Sequence, residues 1–481
     1  MPFFACAVCL TWAVQHDPFF WDSVQLASKH AHHFYENGLR WVLLPPDIDS
    51  GHAPVFGWYI ALVWTFFGKT LPASHWAMLP FLLLNIWLLY RLGLRLGGQA
   101  WAFWLIPLAL LDPVMAGQSV LVGPDVVLIC GFLFAVEGVL GKNKIFITVG
   151  ILILCATSMR GMMTAAALYV WQILSWFQSF KISEFQNLKF EISKFFNFLT
   201  QLTLPFLPGF IFAAGFLWWH LTATGWIGYH SGSPWAPTFV PATAKEILRN
   251  VFVLGWRWLD FGRVFEWAVL GWLVWRSWPL TRQNLPSFPN SESLKGLAIL
   301  LICLAVFLSP STLLLKNVSA HRYFLPGFVA LHLLVFHWLV QIKWKAGNWK
   351  KNAMPALVIA LFLGNLWIYP RGIAMGWDST LAHLPYHHLR AEAVAFLDKE
   401  KIDFQTVGSA FPNLNTGENL MLNGDYRRFA DKNFVQNEYI FASNVFNDIS
   451  ESDYDILRQK WLLVKKWEQA GVWIEIYRRK P

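Results

Sequence analysis

The sequence predicts a polytopic α-helical membrane protein of about eleven transmembrane helices, with juxtamembrane helices and a small C-terminal α/β domain outside the membrane. Three observations carry that reading. Hydrophobic residues make up 56% of the 481 and charged ones only 14%, well outside soluble globular composition. Lys and Arg gather in short loops between apolar runs, and the 41 Phe and 29 Trp suit helices in contact with lipid and headgroups. Beyond Arg371 the composition turns abruptly to mixed charged and apolar residues. The formal charge of +9 is therefore a topology signal, and nucleic acid is excluded as a partner.

Taken in order, Pro2 to Val14 reads as a first membrane helix and not a cleaved signal, because it lacks a basic opening and a small-residue cleavage site. Residues 16–54 form the only long polar interval in the first third of the chain. They hold Asp17, Asp22, Asp47, Asp49, His30, His32, His33 and His52. Within them Val24, Ala27, Ala31, Phe34 and Tyr35 fit an amphipathic helix from Asp22 to Glu36 lying along the membrane surface. Val55 to Phe67 is apolar but short for a span. A juxtamembrane or re-entrant position is favoured there, since it leaves Arg91 and Arg95 on the cytoplasmic side.

Spans then follow near 75–91, 99–113, 125–140, 145–159, 161–177, 204–222, 264–279, 296–315, 322–341 and 353–369. This register gathers Lys142/Lys144, Lys181/Lys189/Lys194, Arg276/Arg282 and Lys343/Lys345/Lys350/Lys351 on the cytoplasmic face. The loops holding Asp112 to Asp125, Arg160, Trp226 to Arg257 and Lys316 to Arg322 fall on the other face with the first loop. Phe180 to Leu199 reads as an amphipathic helix on the cytoplasmic headgroups, and Gln283 to Ser293 as a plain loop. Trp226 to Pro241 is either an interfacial anchor or a wall of the acceptor or sugar pocket.

Residues 1–370 thus form the membrane domain and 371–481 a small α/β domain. In the latter, helices are expected at Leu389–Lys399 and Ser452–Gln459, with strands at Phe404–Ser409, Tyr439–Ala442, Trp461–Lys465 and Val472–Tyr477. The five cysteines, Cys6, Cys9, Cys130, Cys155 and Cys303, lie inside apolar runs and read as small buried hydrophobes. The histidines of the first loop and His387/His388 read as structural or headgroup-facing, since adjacent histidines on a helix diverge.

Asp125, Arg160 and Arg322 stand at the ends of apolar helices, where an unpaired charge is costly, so such groups are paired or functional. The motifs around them resemble a known family. FFWD at 19–22, DSGHAP at 49–54 leading to an aromatic run that ends in FFG, GPD at 123–125 and HRYFLP at 321–326 resemble the glycosyltransferase-C superfamily. The nearest branches are the protein O-mannosyltransferase-like family and the aminoarabinose transferases of lipid A.

The resemblance implies that Asp22 matches the first-loop acid at the catalytic centre, followed here by Ser23 where the family often has Glu. It implies that His52 matches a basic donor-phosphate position, with Gly51 where one branch has a carboxylate. Asp125, with Asp112, matches the second acidic loop, and Arg322 with Tyr323 an Arg-Tyr pair opening a late helix. The implied donor is a polyprenyl-phosphate sugar, and the acceptor a lipid, glycan or protein. Asp22 is then the general base, Asp125 its catalytic companion, and His52, Arg160, Arg322 and Tyr323 bind the donor phosphate. The residues fix no cofactor, and a magnesium or manganese ion on Asp22 with Asp49 or Asp125 is left open. The expected setting is a bacterial inner membrane, with the site and the C-terminal domain on the periplasmic side. A transporter or lipid flippase, or a non-catalytic subunit of an envelope-polymer assembly, is the rival reading.

Overall fold

A computed structural model describes residues 2–179, 199–228, 230–232, 236–281, 291–342, 349–370, 373 and 375–480. The expected headgroup helix over Phe180–Leu199 and most of the loop over Gln283–Ser293 lie outside the described residues. Three described stretches, Leu71–Gly97, Glu292–Leu314 and His321–Gln341, are long and apolar enough to cross a bilayer, and a bent pair could supply a fourth. Shorter apolar helices run over Pro2–Val14, Val55–Phe67, Lys144–Thr157 and Lys351–Gly364. The chain is a multi-pass membrane protein. The figure of about eleven crossings counted apolar runs, several of which form helices shorter than a full span.

Four expectations need correction. The run at 99–113 is not one straight helix: Ala102–Leu110 and Pro113–Ser119 meet at 76°. Pro113 has no N–H to continue the first helix, and Asp112 caps the second by accepting from Val114 N at 2.9 Å. The outer loop up to Arg257 contains a helix, Ala244–Leu259, opened by a Thr243/Glu246 capping box. The Asp22–Glu36 helix does not lie on lipid. It is a π-helical turn, Val24–Lys29, continuing into Ala31 and Phe34 of His30–Glu36, and its polar Gln25, Ser28, His30 and His32 are buried as well. Finally, only Val407–Ser409 of the 404–409 run is strand, the residues before it forming a 3-10 turn.

That helix is buried between Val55–Phe67 and the C-terminal domain. Ser28 Oγ donates to Asn419 O at 2.6 Å, Phe19 N to Leu420 O at 2.9 Å, and Glu418 takes Lys69 at 2.5 Å and His32 at 3.2 Å. The domain holds a five-stranded sheet in the order β2-β1-β3-β5-β4. Its strands are β1 Val407–Ser409, β2 Ala430–Asp431, β3 Tyr439–Ser443, β4 Trp461–Gln469 and β5 Val472–Arg479. Pairing is parallel from β2 through β1 to β3 and antiparallel across β3, β5 and β4. The helices Pro385–Lys399 and Glu451–Lys460 pack on it, close to the expected ranges.

In the membrane domain, glycines bring helices Pro124–Leu140 and Lys144–Thr157 together. A Cβ on Gly150 would lie 2.5 Å from Gly131 O and from Ala135 N, a contact that only a small residue permits. This hairpin, followed by Met159–Ser179, sets Asp125 and Arg160 side by side at one end of the bundle. At the other end of the hairpin's first helix, buried Glu137 takes Arg91 at 2.9 Å and Arg95 at 2.8 Å.

Candidate active site

Each site residue is delivered by a helix end or a turn that its local sequence explains. Pro124 at the first helical position places Asp125 in the opening turn, where the helix dipole favours a carboxylate. Arg160 stands one residue into Met159–Ser179, and Arg322 lies in a 3-10 turn, His321–Phe324, ahead of Leu325–Gln341. Asp22 sits within a turn in which Phe20 N donates to Ser23 Oγ at 2.8 Å and Ser23 Oγ to Phe20 O at 2.7 Å. Trp21 there takes φ +52, a left-handed conformation that is costly for a bulky residue.

These elements converge on one guanidinium. Arg322 Nη2 donates to Asp22 Oδ2, Nη1 lies 3.4 Å from Asp125 Oδ2, and Nε lies 3.1 Å from Asp378 Oδ2. Arg160 Nη1 donates to Asp125 Oδ1 at 2.8 Å and to Arg322 O at 3.2 Å, and its guanidinium sits 4.6 Å from the Tyr323 ring centre. Three carboxylates thus face two arginines. The side chains of Asp125 and Asp378 are 2% and 6% exposed, whereas Asp22 is 22% and Arg160 15% exposed, so these two border the opening. The Nε and Nη2 groups of Arg160 make no hydrogen bond among the described residues.

His52 closes one side of the cluster, with Nδ1 accepting from Met159 N at 3.5 Å. Burial, followed by the nearby Arg160, pushes its pKa down to about 4 against the opposing pull of Asp22. At neutral pH the ring is uncharged, and its proton belongs on Nε2. The preceding Gly51, at φ +70, must be glycine: a Cβ there would lie 2.3 Å from Gly228 O.

Asp49 has a different place. Its Oδ1 accepts from Gly51 N at 2.7 Å and its Oδ2 pairs with buried His220 at 2.9 Å. Among the described residues no group of three His, Cys, Asp or Glu side chains is arranged to hold a metal. Asp22 and Asp125 already face arginine and Asp49 faces histidine, so these three carboxylates do not fit a shared divalent cation. Asp112 also stands apart, in a dry pair with Arg263 at 2.7 Å.

Asp378 escaped the sequence reading. It comes from the 3-10 turn Trp377–Ser379 at the entry to the C-terminal domain, where Gln118 Nε2 fixes its carbonyl at 2.8 Å. Burial raises its pKa, with Arg322 opposing. A signal was available: Trp377-Asp378-Ser379 repeats the tripeptide Trp21-Asp22-Ser23, and both aspartates reach Arg322.

No protein-family model matches the sequence, and no curated protein matches it. Solved structures do match its shape. ArnT from Cupriavidus metallidurans bound to undecaprenyl phosphate aligns with a TM-score of 0.50 at 13% identity, over 98% of this chain and 97% of that one. The fold is that of ArnT. ArnT in the apo state gives a TM-score of 0.49 at 13% identity over the same shares. The mycobacterial arabinofuranosyltransferase AftD gives 0.46 at 12% identity, over 99% of this chain and 40% of that one. The ArnT-like alignment runs through the C-terminal domain, well past residue 370 where the motif resemblance ended.

Proposed function

We propose that the chain is an inverting glycosyltransferase, moving a sugar from a polyprenyl-phosphate donor to an acceptor at the outer, periplasmic face of a bacterial inner membrane. The observation that carries this reading is the convergence of Asp22, Asp125 and Asp378 on Arg322, beside an Arg160 whose guanidinium keeps free donors at the opening. The ArnT-like fold, and the undecaprenyl phosphate bound in the ArnT structure, support a lipid phosphate as the ligand class.

The acceptor hydroxyl or amine attacks the anomeric carbon from the face opposite the phosphate. A bond forms from acceptor to carbon, the carbon–oxygen bond to phosphate breaks, and its electron pair leaves with the polyprenyl phosphate. The acceptor proton passes to Asp22, the most exposed carboxylate of the cluster. The leaving phosphate is a stable anion near neutral pH and needs no strong acid. It needs donors aimed at its growing charge, which Arg160 and the Nε2–H of neutral His52 supply. Arg322 is occupied by three carboxylates in the resting site. It meets the phosphate only by exchanging one of them, and until then it holds Asp22 in place.

The test is purified protein in lipid, given radiolabelled polyprenyl-phosphate sugars and an envelope extract, with Asp22→Asn, Arg160→Ala and Arg322→Ala alongside. Label reaching an acceptor with wild type and not with Asp22→Asn supports the reading. Donor that binds to wild type and is never consumed would overturn it in favour of transport or assembly.

A further inference from the structure

The turn that carries Asp22 is gripped by the C-terminal domain, and the grip falls on the three residues just before the acid. Phe20 is 1% exposed. Its ring stacks on His383 at 4.7 Å with 9° between the planes, with Tyr386 at 5.7 Å and His387 edge-on at 5.4 Å. Phe19 N donates to Leu420 O at 2.9 Å, and the Trp21 ring meets Phe411 edge-on at 6.2 Å. All five of these partners lie between His383 and Leu420. The socket around Phe20 is itself fixed, since His383 Nδ1 donates to Thr380 O at 2.7 Å and the Tyr386 hydroxyl to Asn413 Oδ1 at 3.3 Å. The chain leading into it, Trp377–Ser379, is the one that brings Asp378 to Arg322. A Cβ on Gly117 would lie 2.7 Å from Thr380 N and 3.0 Å from Asp378 O, so this stretch is set closely against the helix Pro113–Ser119.

The residue between the socket and the acid shows what the grip does. Trp21 takes φ +52, and a bulky residue keeps such a conformation only where its surroundings over-determine it. We propose that the C-terminal domain positions Asp22. The socket of His383, Tyr386 and His387 holds Phe20, keeps Trp21 left-handed, and so sets the next side chain, Asp22, on Arg322. Withdrawing the Phe20 ring lets Trp21 relax toward negative φ, and Asp22 moves with it. The inference rests on the transfer reading for the part Asp22 plays as base. Phe20 and His383 reach Asp22 only through the backbone, which makes them positioning residues.

The test reads the turn and turnover separately, on full-length protein in lipid nanodiscs. Hydrogen exchange by mass spectrometry follows the segment 19–28, while transfer from a polyprenyl-phosphate sugar gives kcat and KM. Phe20→Ala should speed exchange across 19–28 and leave 124–131, around Asp125, as in wild type. Its kcat should fall about a hundredfold, the cost of a reacting group displaced by about an ångström, with KM for the donor little changed. His383→Ala opens the socket from the domain's side and should do the same. Joining the two substitutions should lower kcat no further, since both remove one contact. Leu457→Ala truncates a fully buried side chain on the domain's other helix, Glu451–Lys460, and should leave exchange over 19–28 and kcat unchanged. Unchanged exchange over 19–28 in a folded Phe20→Ala, or faster exchange with wild-type kcat, would overturn the proposal, as would a double variant whose losses add. If wild type transferred no sugar, the transfer reading would fall alone, because exchange in the two single variants still decides whether the domain fixes the Asp22 turn.

Discussion

Two clusters in this molecule use the same residue types to opposite ends. In the inner one Asp112 meets Arg263 at 2.7 Å, and His332 lies 2.8 Å from Glu266 and 3.5 Å from Asp112, every side chain 0% exposed. In the outer one Asp22, Asp125 and Asp378 meet Arg322, but Asp22 and Arg160 border an opening and Arg160 keeps two donor groups without a partner among the described residues. The inner cluster is closed and locks helices together. The outer cluster has an excess of carboxylate and an arginine with a free edge, so it can take up a proton and an anion. Exposure separates the two, since charge, residue type and unspent hydrogen-bonding capacity do not.

The largest effect that would separate them comes from Asp22→Asn. Loss of a general base lowers transfer by about 10²–10⁴-fold, with the melting temperature in detergent close to wild type. The inner cluster should respond in the opposite way. Arg263→Met strands Asp112 without its partner and should cost about 3–5 kcal/mol of stability, read as loss of folded protein in a heating series. Adding Asp112→Leu to that variant should restore most of the loss, because no buried charge is then left alone. If Asp22→Asn melted as early as Arg263→Met, the outer cluster would be structural too.

A smaller effect is expected from Asp378→Asn. Asp378 touches Arg322 and acts through it, which makes it a positioning residue. Its loss should lower kcat about tenfold, roughly 1.4 kcal/mol, with KM for the donor little changed. A merely structural role would change protein yield and leave kcat per folded molecule in place.

The residues on helix ends were legible because charge at the end of an apolar run is conspicuous. Asp22, Asp125, Arg160, Arg322 and Tyr323 lie together in the structure. Asp49 and Asp112 carry the same signal yet serve as turn and helix caps with buried partners, and sequence alone does not reveal which carboxylates are already spent. The helix at Ala244–Leu259 was passed over because its polar face looked like loop, although Thr243 and Glu246 spell a capping box. A terminal domain that covers the site or selects the acceptor is a reading the sequence allows, but the contacts that set it over the first loop, such as Ser28 with Asn419 and Lys69 with Glu418, join residues hundreds of positions apart and were out of reach.

That placement gives the last and mildest prediction, which concerns pH. Along it His30 is held down to about 3, His52 and His383 to about 4, and His387 well below its ordinary value, in each case chiefly by burial. The unfolded chain takes up protons near pH 6.5 that these native rings refuse. The unfolded state therefore binds more protons between about pH 6.5 and 4, and stability falls as pH falls through that window. Asp17, pushed up to about 6 by burial, and Asp378, also raised by burial, work against this, since the native state takes their protons more readily than the unfolded one. Four histidines against two aspartates should leave the protein melting a few degrees lower at pH 5 than at pH 7.5. His383 stacks on Phe20 at 4.7 Å, with His387 edge-on beside it. His383→Phe keeps an aromatic ring there, removes one titrating group, and should narrow the difference between the two pH values. A wild-type protein that grew more stable on acidification would mean that these rings are open to water, and that the domain does not seal the first loop.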